Sequence, residues 1–167
     1  MGVADHKQHA PKSLRAWVIT VSDSRTEETD TSGRLAKELL AAAGHQLAGY
    51  RVLKDEPAEV AALIAKIADE RAADVVITSG GTGVSSRDST YEAVSGLLQK
   101  RLDGFGELFR MLSYAEIGSA AMLSRATGGL YRGLVIFATP GSTAAVRLAL
   151  EKLILPELGH LAFEVAR

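Results

Sequence analysis

The chain contains no cysteine. Disulfides and thiolate metal sites are therefore excluded, and the redox compartment is left undecided. It also lacks an excess of either charge: 19 Lys and Arg stand against 20 Asp and Glu, for a net charge of −1. That balance gives no electrostatic footprint for nucleic acid. No apolar run approaches the roughly 20 residues of a membrane-spanning helix. Residues 1–13, "MGVADHKQHAPKS", lack the apolar stretch of a signal peptide and show no lipidation pattern after Gly2. They read as a disordered tail in which His6 and His9 are solvated, and the protein reads as cytoplasmic. There is no internal repeat, low-complexity tract or linker.

What is present is strand–helix alternation. The 167 residues, 47% of them apolar, suit one domain over 14–167 with a sizeable core. "RAWVITVS", "QLAGYRVL", "DVVITS" and "LVIFAT" read as strands. "SGRLAKELLAAAG" has Leu35, Leu39 and Leu40 at helical spacing and ends at Gly44, a favoured residue just past a helix. Pro57 opens a second helix with Val60, Leu63, Ile64 and Ile67 on one face. A third is expected from about Tyr91 to Leu102, with Gly104 breaking it before "FGELFRMLSYAEIG" resumes. "LSRATGGLYRG" reads as a connection, and "PGSTAAVRLALEKLILPEL" as a last helix interrupted at Pro156. Apolar strands alternating with helices predict a three-layer α/β/α fold with a mostly parallel sheet.

In such a sheet ligands bind beyond the carboxyl ends of the strands, where the strand order reverses. The segments there are "SDSRTEETDTSG", "KDEP", "SGGTGVSSRDST" and "TPGST". Each is polar or rich in glycine. Gly80, Gly81 and Gly83 permit positive φ and let peptide N–H groups approach an anion, with a helix N-terminus behind them. No Gly-Lys-Ser/Thr follows, so this is not a P-loop, and the spacing is not that of a dinucleotide fingerprint. A strand–helix turn that needs glycine only for its geometry is the alternative. Asp88 has two readings as well. Ser89 and Glu92 form an S-x-x-E capping box, beside which Asp88 would be structural. Otherwise Asp55 and Asp88 are carboxylates from neighbouring strand ends that hold Mg²⁺ against phosphates.

"TSGGTGVSSRDSTYEAV", with "VSDSR" before it and "LSRATGG" and "TPGS" after it, resembles the molybdenum cofactor biosynthesis MoaB/Mog family over roughly 14–158. The resemblance implies a molybdopterin-binding fold with its site along the strand ends. In catalytic members it implies adenylylation, in which the pterin's phosphate attacks ATP with Mg²⁺ and releases pyrophosphate. It gives Asp55 and Asp88 the catalytic and metal-binding roles. It places Ser79, Gly80, Gly81, Thr82 and Gly83 in an anion cradle, and Ser22, Asp23, Asp30, Ser32 and Gly33 near nucleotide or pterin. Ser113 and Ser124 match serines near molybdopterin, and Pro140 and Gly141 match the start of the family's "PG" loop. Tyr91 in place of a common proline, and "PGST" in place of "PGNP", put the chain closer to the MoaB branch.

Two functions follow from the resemblance: a molybdopterin adenylyltransferase, or a non-catalytic molybdopterin-binding or scaffold protein of the MoaB branch. The retained carboxylate pair favours the enzyme, and His45 and His160 read as structural or exposed. The resemblance also implies a homo-oligomer, a trimer or a hexamer built from trimers, with other cofactor-biosynthesis proteins as partners and neither nucleic acid nor membrane. The apolar character of "GFGELFRMLSYAEIG" agrees with an interface. A branched residue at Gly81 is expected to impair ligand binding more than folding.

Overall fold

The pleat of three central strands sorts the core into two halves. In the computed structural model, which describes residues 9–167, Ala16 and Val18 of β1 (Arg15–Val21) face one side while Ile19 and Val21 face the other. The same alternation separates Val75 and Ile77 from Val76 in β3 (Val75–Ser79), and Val135 and Phe137 from Leu134 and Ile136 in β6 (Leu134–Thr139). Strands buried on both faces are why these segments are apolar throughout. One face is covered by α1 (Thr31–Ala42), α4 (Asp103–Ile117) and the C-terminal helices α5 (Thr143–Ala149) and α6 (Leu155–Val165). The other is covered by α2 (Pro57–Asp69) and α3 (Thr90–Leu97). Each fully buried Leu, Ile or Phe contributes about 1.5–3 kcal/mol of transfer free energy.

The sheet has six strands in the order β2-β1-β3-β6-β5-β4. β2 (Gln46–Leu53), β1, β3 and β6 run parallel. β5 (Thr127–Tyr131) runs antiparallel to β6, and the two-residue β4 (Lys100–Arg101) runs antiparallel to β5. The chain leaves β1 toward β2 and then returns to its other side as β3. The order therefore reverses between β1 and β3, and their carboxyl ends flank the crevice. At the β2 edge the Trp17 ring lies where a side chain on Gly49 would be, its Cε2 2.0 Å from that Cβ position.

Gly44 ends α1 as expected. Its φ is +86°, and His45 N–H reaches back to the Leu40 carbonyl at 3.0 Å while Gly44 N–H reaches Ala41 at 3.0 Å.

Three segments differ from the sequence expectation. α3 stops at Leu97 and the chain turns extended, so that Gln99 N–H bonds the Leu130 carbonyl at 2.8 Å and Leu102 N–H bonds Gly128 at 2.8 Å. The pairing partner of this stretch is "TGGLY", which is β5 rather than a connection. Gly104 lies inside the first turn of α4 instead of separating two helices. The C-terminal helix is interrupted before Pro156, by a π-helical turn over Leu150–Ile154.

The expected tail over 1–13 falls largely on residues 1–8, which lie outside the described residues. Beyond them, His9 stacks near Phe163 with ring centroids 6.5 Å apart. The Pro11 carbonyl lies 2.9 Å from the Cβ position of Gly159 on α6. Among the described residues no helix is long and apolar enough to cross a membrane.

Candidate active site

The crevice between β1 and β3 is built by backbone contact. Gly80 follows β3 with φ +97°, and any Cβ there would lie 2.1 Å from the Val21 carbonyl oxygen at the end of β1. Gly80 N–H donates to the Thr139 carbonyl at 3.0 Å, and the Gly80 Cα lies 3.1 Å from the Cβ position of Gly141. The glycine loop, the end of β1 and the "PG" turn after β6 thus meet through main chain alone.

Two carboxylates border the glycine loop. A Cβ on Gly81 would lie 2.6 Å from Asp55 Oδ2, and a Cβ on Gly83 2.7 Å from Asp88 Oδ2. Asp55 is buried, and its Oδ1 accepts from the Ser89 N–H at 3.1 Å and the Ser89 hydroxyl at 2.6 Å. Asp88 Oδ2 accepts from the Ser85 N–H at 2.9 Å. The capping box therefore does not form: Ser89 turns to Asp55, and Glu92 pairs with Arg125. Asp88 closes a turn within the loop and does not cap α3. The hydroxyls of Ser79 and Thr90, one at each end of the loop, are buried without a hydrogen-bond partner among the described residues. Such groups carry a desolvation penalty until a ligand or water meets them.

Four arginines that sequence reasoning left without a role hold these loops in place, or line the recess beside them. Arg125 Nε donates to the Gly83 carbonyl at 2.9 Å and Nη2 to the Asp88 carbonyl at 3.2 Å, bracing the glycine loop from behind. Its pairing holds the Glu92 carboxyl below its ordinary range. Arg87 reaches from the loop to Asp23 at 2.9 Å and to Glu56 at 3.0 Å. The Asp23 carboxyl is lowered, first by Arg87 and then by the Asp55 N–H that it accepts at 3.1 Å. Arg25 Nη1 joins Ser32 Oγ at 2.7 Å to the Gly141 carbonyl at 3.0 Å. Arg101 donates to the Tyr91 hydroxyl at 3.1 Å, which lowers that phenol, and Arg125 lies 4.9 Å from the Tyr91 ring centroid. Arginine is common enough that no spacing rule singled these out; only the fold shows which carbonyls they reach.

The remaining predicted positions divide. Ser22 shapes the first loop, its hydroxyl accepting from Arg25 N–H at 3.1 Å. Asp30 faces inward as the N-cap of α1. It is fully buried, accepting from Gly33 N–H at 2.9 Å and Tyr50 hydroxyl at 2.7 Å. Burial raises its pKa, but the donors around it outweigh that and hold it lowered. Ser32 and Gly33 are buried with it, and a Cβ on Gly33 would lie 2.0 Å from Asp30 Oδ2. Thr82 is buried, and its carbonyl accepts the Arg125 N–H at 3.2 Å. Ser124 lines a recess of about 280 Å³ with Tyr91, Arg101 and Arg110. Pro140 leads into the Gly141 turn. Ser113 lies on the buried face of α4 with Phe109 and takes part in none of the loop contacts above.

With this geometry in view, comparison with known proteins is specific. Residues 17–160 match the family profile described as "Probable molybdopterin binding domain". Molybdenum cofactor biosynthesis protein B of Bacillus subtilis (strain 168) is 52% identical over 169 residues, spanning 100% of this chain and 99% of that protein. A crystal structure of a molybdenum cofactor biosynthesis protein B superposes with a TM-score of 0.91 at 55% identity, over 95% of this chain and 99% of that one. The tungsten cofactor synthesizing protein MoaB from Pyrococcus furiosus gives a TM-score of 0.83 at 41% identity, over 95% and 100% of the two chains. MogA gives 0.82 at 27%, over 90% and 99%. The chain therefore belongs to the MoaB/Mog family of molybdenum cofactor biosynthesis proteins, with the molybdopterin-binding domain that defines it.

Proposed function

We propose that the chain binds molybdopterin and adenylylates it with ATP, releasing pyrophosphate. The observation that carries this reading is the pair of carboxylates, Asp55 and Asp88, set against one glycine loop at the reversal point of the sheet. Among the described residues no group of three or more His, Asp or Glu forms a self-sufficient metal cage. Two carboxylates are what Mg²⁺ ordinarily takes from protein when phosphates and water supply its other ligands. The residues thus fit a cation that enters with the nucleotide, held by Asp55 and Asp88. When bound, Mg²⁺ would neutralise triphosphate charge and favour departure of pyrophosphate.

The chain's own share is positioning. Attack of a phosphate on the α-phosphorus asks for alignment and charge stabilisation more than for covalent help. Arg125 fixes the loop carbonyls, which turns the opposite side of the loop toward the ligand. Ser89 fixes one oxygen of Asp55 and leaves the other beside Gly81. The orphaned hydroxyls of Ser79 and Thr90 provide hydrogen-bond capacity at the same place. No histidine is required.

We further propose a cytoplasmic homo-oligomer, a trimer or a hexamer built from trimers. Leu108, Met111, Tyr114 and Ile117 form an exposed stripe on α4 that continues into Met122 and Leu123, with Met122 79% exposed. A contiguous apolar surface of this kind marks an interface.

The test is turnover: purified chain, molybdopterin, ATP and Mg²⁺, with pyrophosphate and adenylylated pterin measured together. Stoichiometric release of both supports the enzyme. Tight molybdopterin binding without pyrophosphate would favour the scaffold reading.

A further inference from the structure

The amino edge of the sheet, opposite the site above, holds an open cleft of about 830 Å³. We propose that it is a second ligand site, for a small organic anion with an apolar body and a terminal phosphate or carboxylate, held by Arg71 and Arg132. This does not rest on the adenylylation reading.

Leu14, Leu134 and Val165 give the cleft apolar lining, and Arg15, Arg71 and Arg132 bring cations to it. Asp74 is the one carboxylate among its lining residues, and it is taken up by Arg15 at 2.8 Å. Arg132 pairs with Asp69. Arg71 has no carboxylate within ion-pair distance among the described residues. Two carboxylates therefore face three guanidiniums, on a chain whose overall charge is close to zero. Apolar lining with an unmatched cation is the lining that an amphipathic anion needs.

The backbone makes the case stronger. Among the described residues, Arg71 and Arg132 are the two non-glycine residues with positive φ, at +50° and +48°. Both occupy positions where glycine or asparagine is the usual choice. Arg71 follows α2, with its N–H bonded to Ala68 at 3.1 Å and Ala72 N–H bonded to Ile67 at 3.0 Å. α1 ends in the same hydrogen-bond pattern, and there the position is Gly44. Arg132 is the first residue of the two-residue turn joining β5 to β6, and Gly133 is the second, at φ +79°. The chain thus twice places arginine where the fold asks for a residue without a bulky side chain, and both arginines line one cleft. A cation at the end of α2 also gains from the helix dipole. That gain is already open to Lys66 in the last turn, and Arg132 ends no helix. Departures from local propensity of this sort concentrate where a side chain serves a ligand.

The experiment is an NMR titration of the full ¹⁵N-labelled chain with phenyl phosphate and, separately, with phenylacetate. The probes share an apolar body and differ in the anion, so the stronger one identifies the class. Saturable amide shifts at Arg71, Ala73, Arg132 and Gly133 are expected. The double variant Arg71→Gly, Arg132→Asn should melt no lower than the parent, since both replacements suit left-handed backbone, and should bind the preferred probe about tenfold more weakly or worse. Arg71→Gln with Arg132→Gln removes the charge while leaving a polar side chain on each residue, and should lose affinity equally. Absence of shifts at the cleft with both probes would overturn the proposal. So would shifts confined to the glycine loop, or parental affinity in either folded variant.

Discussion

Replacing Gly81 by alanine puts a methyl group where Thr90 Oγ1 would be 2.1 Å away, Asp55 Oδ2 2.6 Å and Thr90 Cβ 2.9 Å. Thr90 is fully buried at the first turn of α3 and has no room to withdraw. The position also has φ +68°, which an L side chain adopts at about 1–2 kcal/mol. Overpacking of a closed site adds about 1–3 kcal/mol. The sum is about 2–5 kcal/mol, or a melting temperature lower by about 4–20 °C for a chain of this size. The sequence alone suggested that a side chain here would harm binding more than folding; the Thr90 contact adds a folding cost, and the Asp55 contact keeps a binding cost beside it. Gly83 is the contrast. Its φ is not positive, and the nearest atoms its Cβ would meet belong to the Asp88 carboxylate, with Oδ2 at 2.7 Å and Cγ at 3.2 Å. That side chain is half-exposed and can swing away. Gly83→Ala should therefore stay within about 1 kcal/mol of the parent, helped by the smaller entropy of its unfolded chain. Displacing Asp88 should weaken Mg²⁺–ATP binding about 10–100-fold. Thermal melts beside calorimetric titration with ATP–Mg²⁺ read both effects. If Gly83→Ala melts as low as Gly81→Ala, or binds nucleotide like the parent, the assignment of separate roles to the two glycines is wrong.

Asp88→Asn should fold normally, because the amide oxygen can still accept from Ser85, and should lose most adenylylation; a folded variant with near-parental turnover removes Asp88 from the mechanism. Asp30→Ala should lower stability by about 0.5–2 kcal/mol through the lost cap, with nucleotide affinity unchanged per folded molecule in the same titration. His45 is lowered by burial, and its Nδ1 accepts from Leu14 N–H at 3.2 Å. The unfolded chain then binds the proton more readily, so stability should be full above the ordinary histidine value and fall as pH drops through the folded one. Urea melts across that window should show the slope, and His45→Gln should flatten it. Met111→Glu with Tyr114→Glu should reduce the mass in light scattering to that of one chain at micromolar concentration; a parent that is itself monomeric there would dismiss the interface.

The parallel core was legible because strands buried on both faces have to be apolar, and their loops had to collect at one edge. β4 and β5 were not. A two-residue strand has no period to detect, and Gly128 and Gly129 look like turn chemistry until one sees that β4 packs against them: a Cβ on Gly129 would lie 2.1 Å from the Lys100 carbonyl. Asp55, Asp88 and the glycines were visible through their spacing. Asp30 was visible too, but its role was not, since a carboxylate that caps a helix and one that faces a ligand occupy the same kind of loop. Thr90 stands in the quoted motif, but its burial against Gly81 cannot be read there, and Arg125 was left without a role because its significance lies in contacts across more than thirty residues, such as that to Gly83.

The π-helical turn over Leu150–Ile154 has an evolutionary consequence. Leu155 N–H reaches the Leu150 carbonyl, five residues back, so this stretch is an α-helix holding one residue more than it needs. Helices take up such an insertion locally, which is how Val146 before it and Leu158 after it both remain core residues. The widened turn lies just ahead of Pro156, whose ring in a regular helix would crowd the Lys152 carbonyl. The extra residue and the proline are therefore linked. A lineage that deletes one residue between Leu150 and Ile154 recovers an unbroken helix only if it also gives up the proline, and one that keeps the proline inherits a kink. A relative one residue shorter at this point would represent a second solution to the same packing problem.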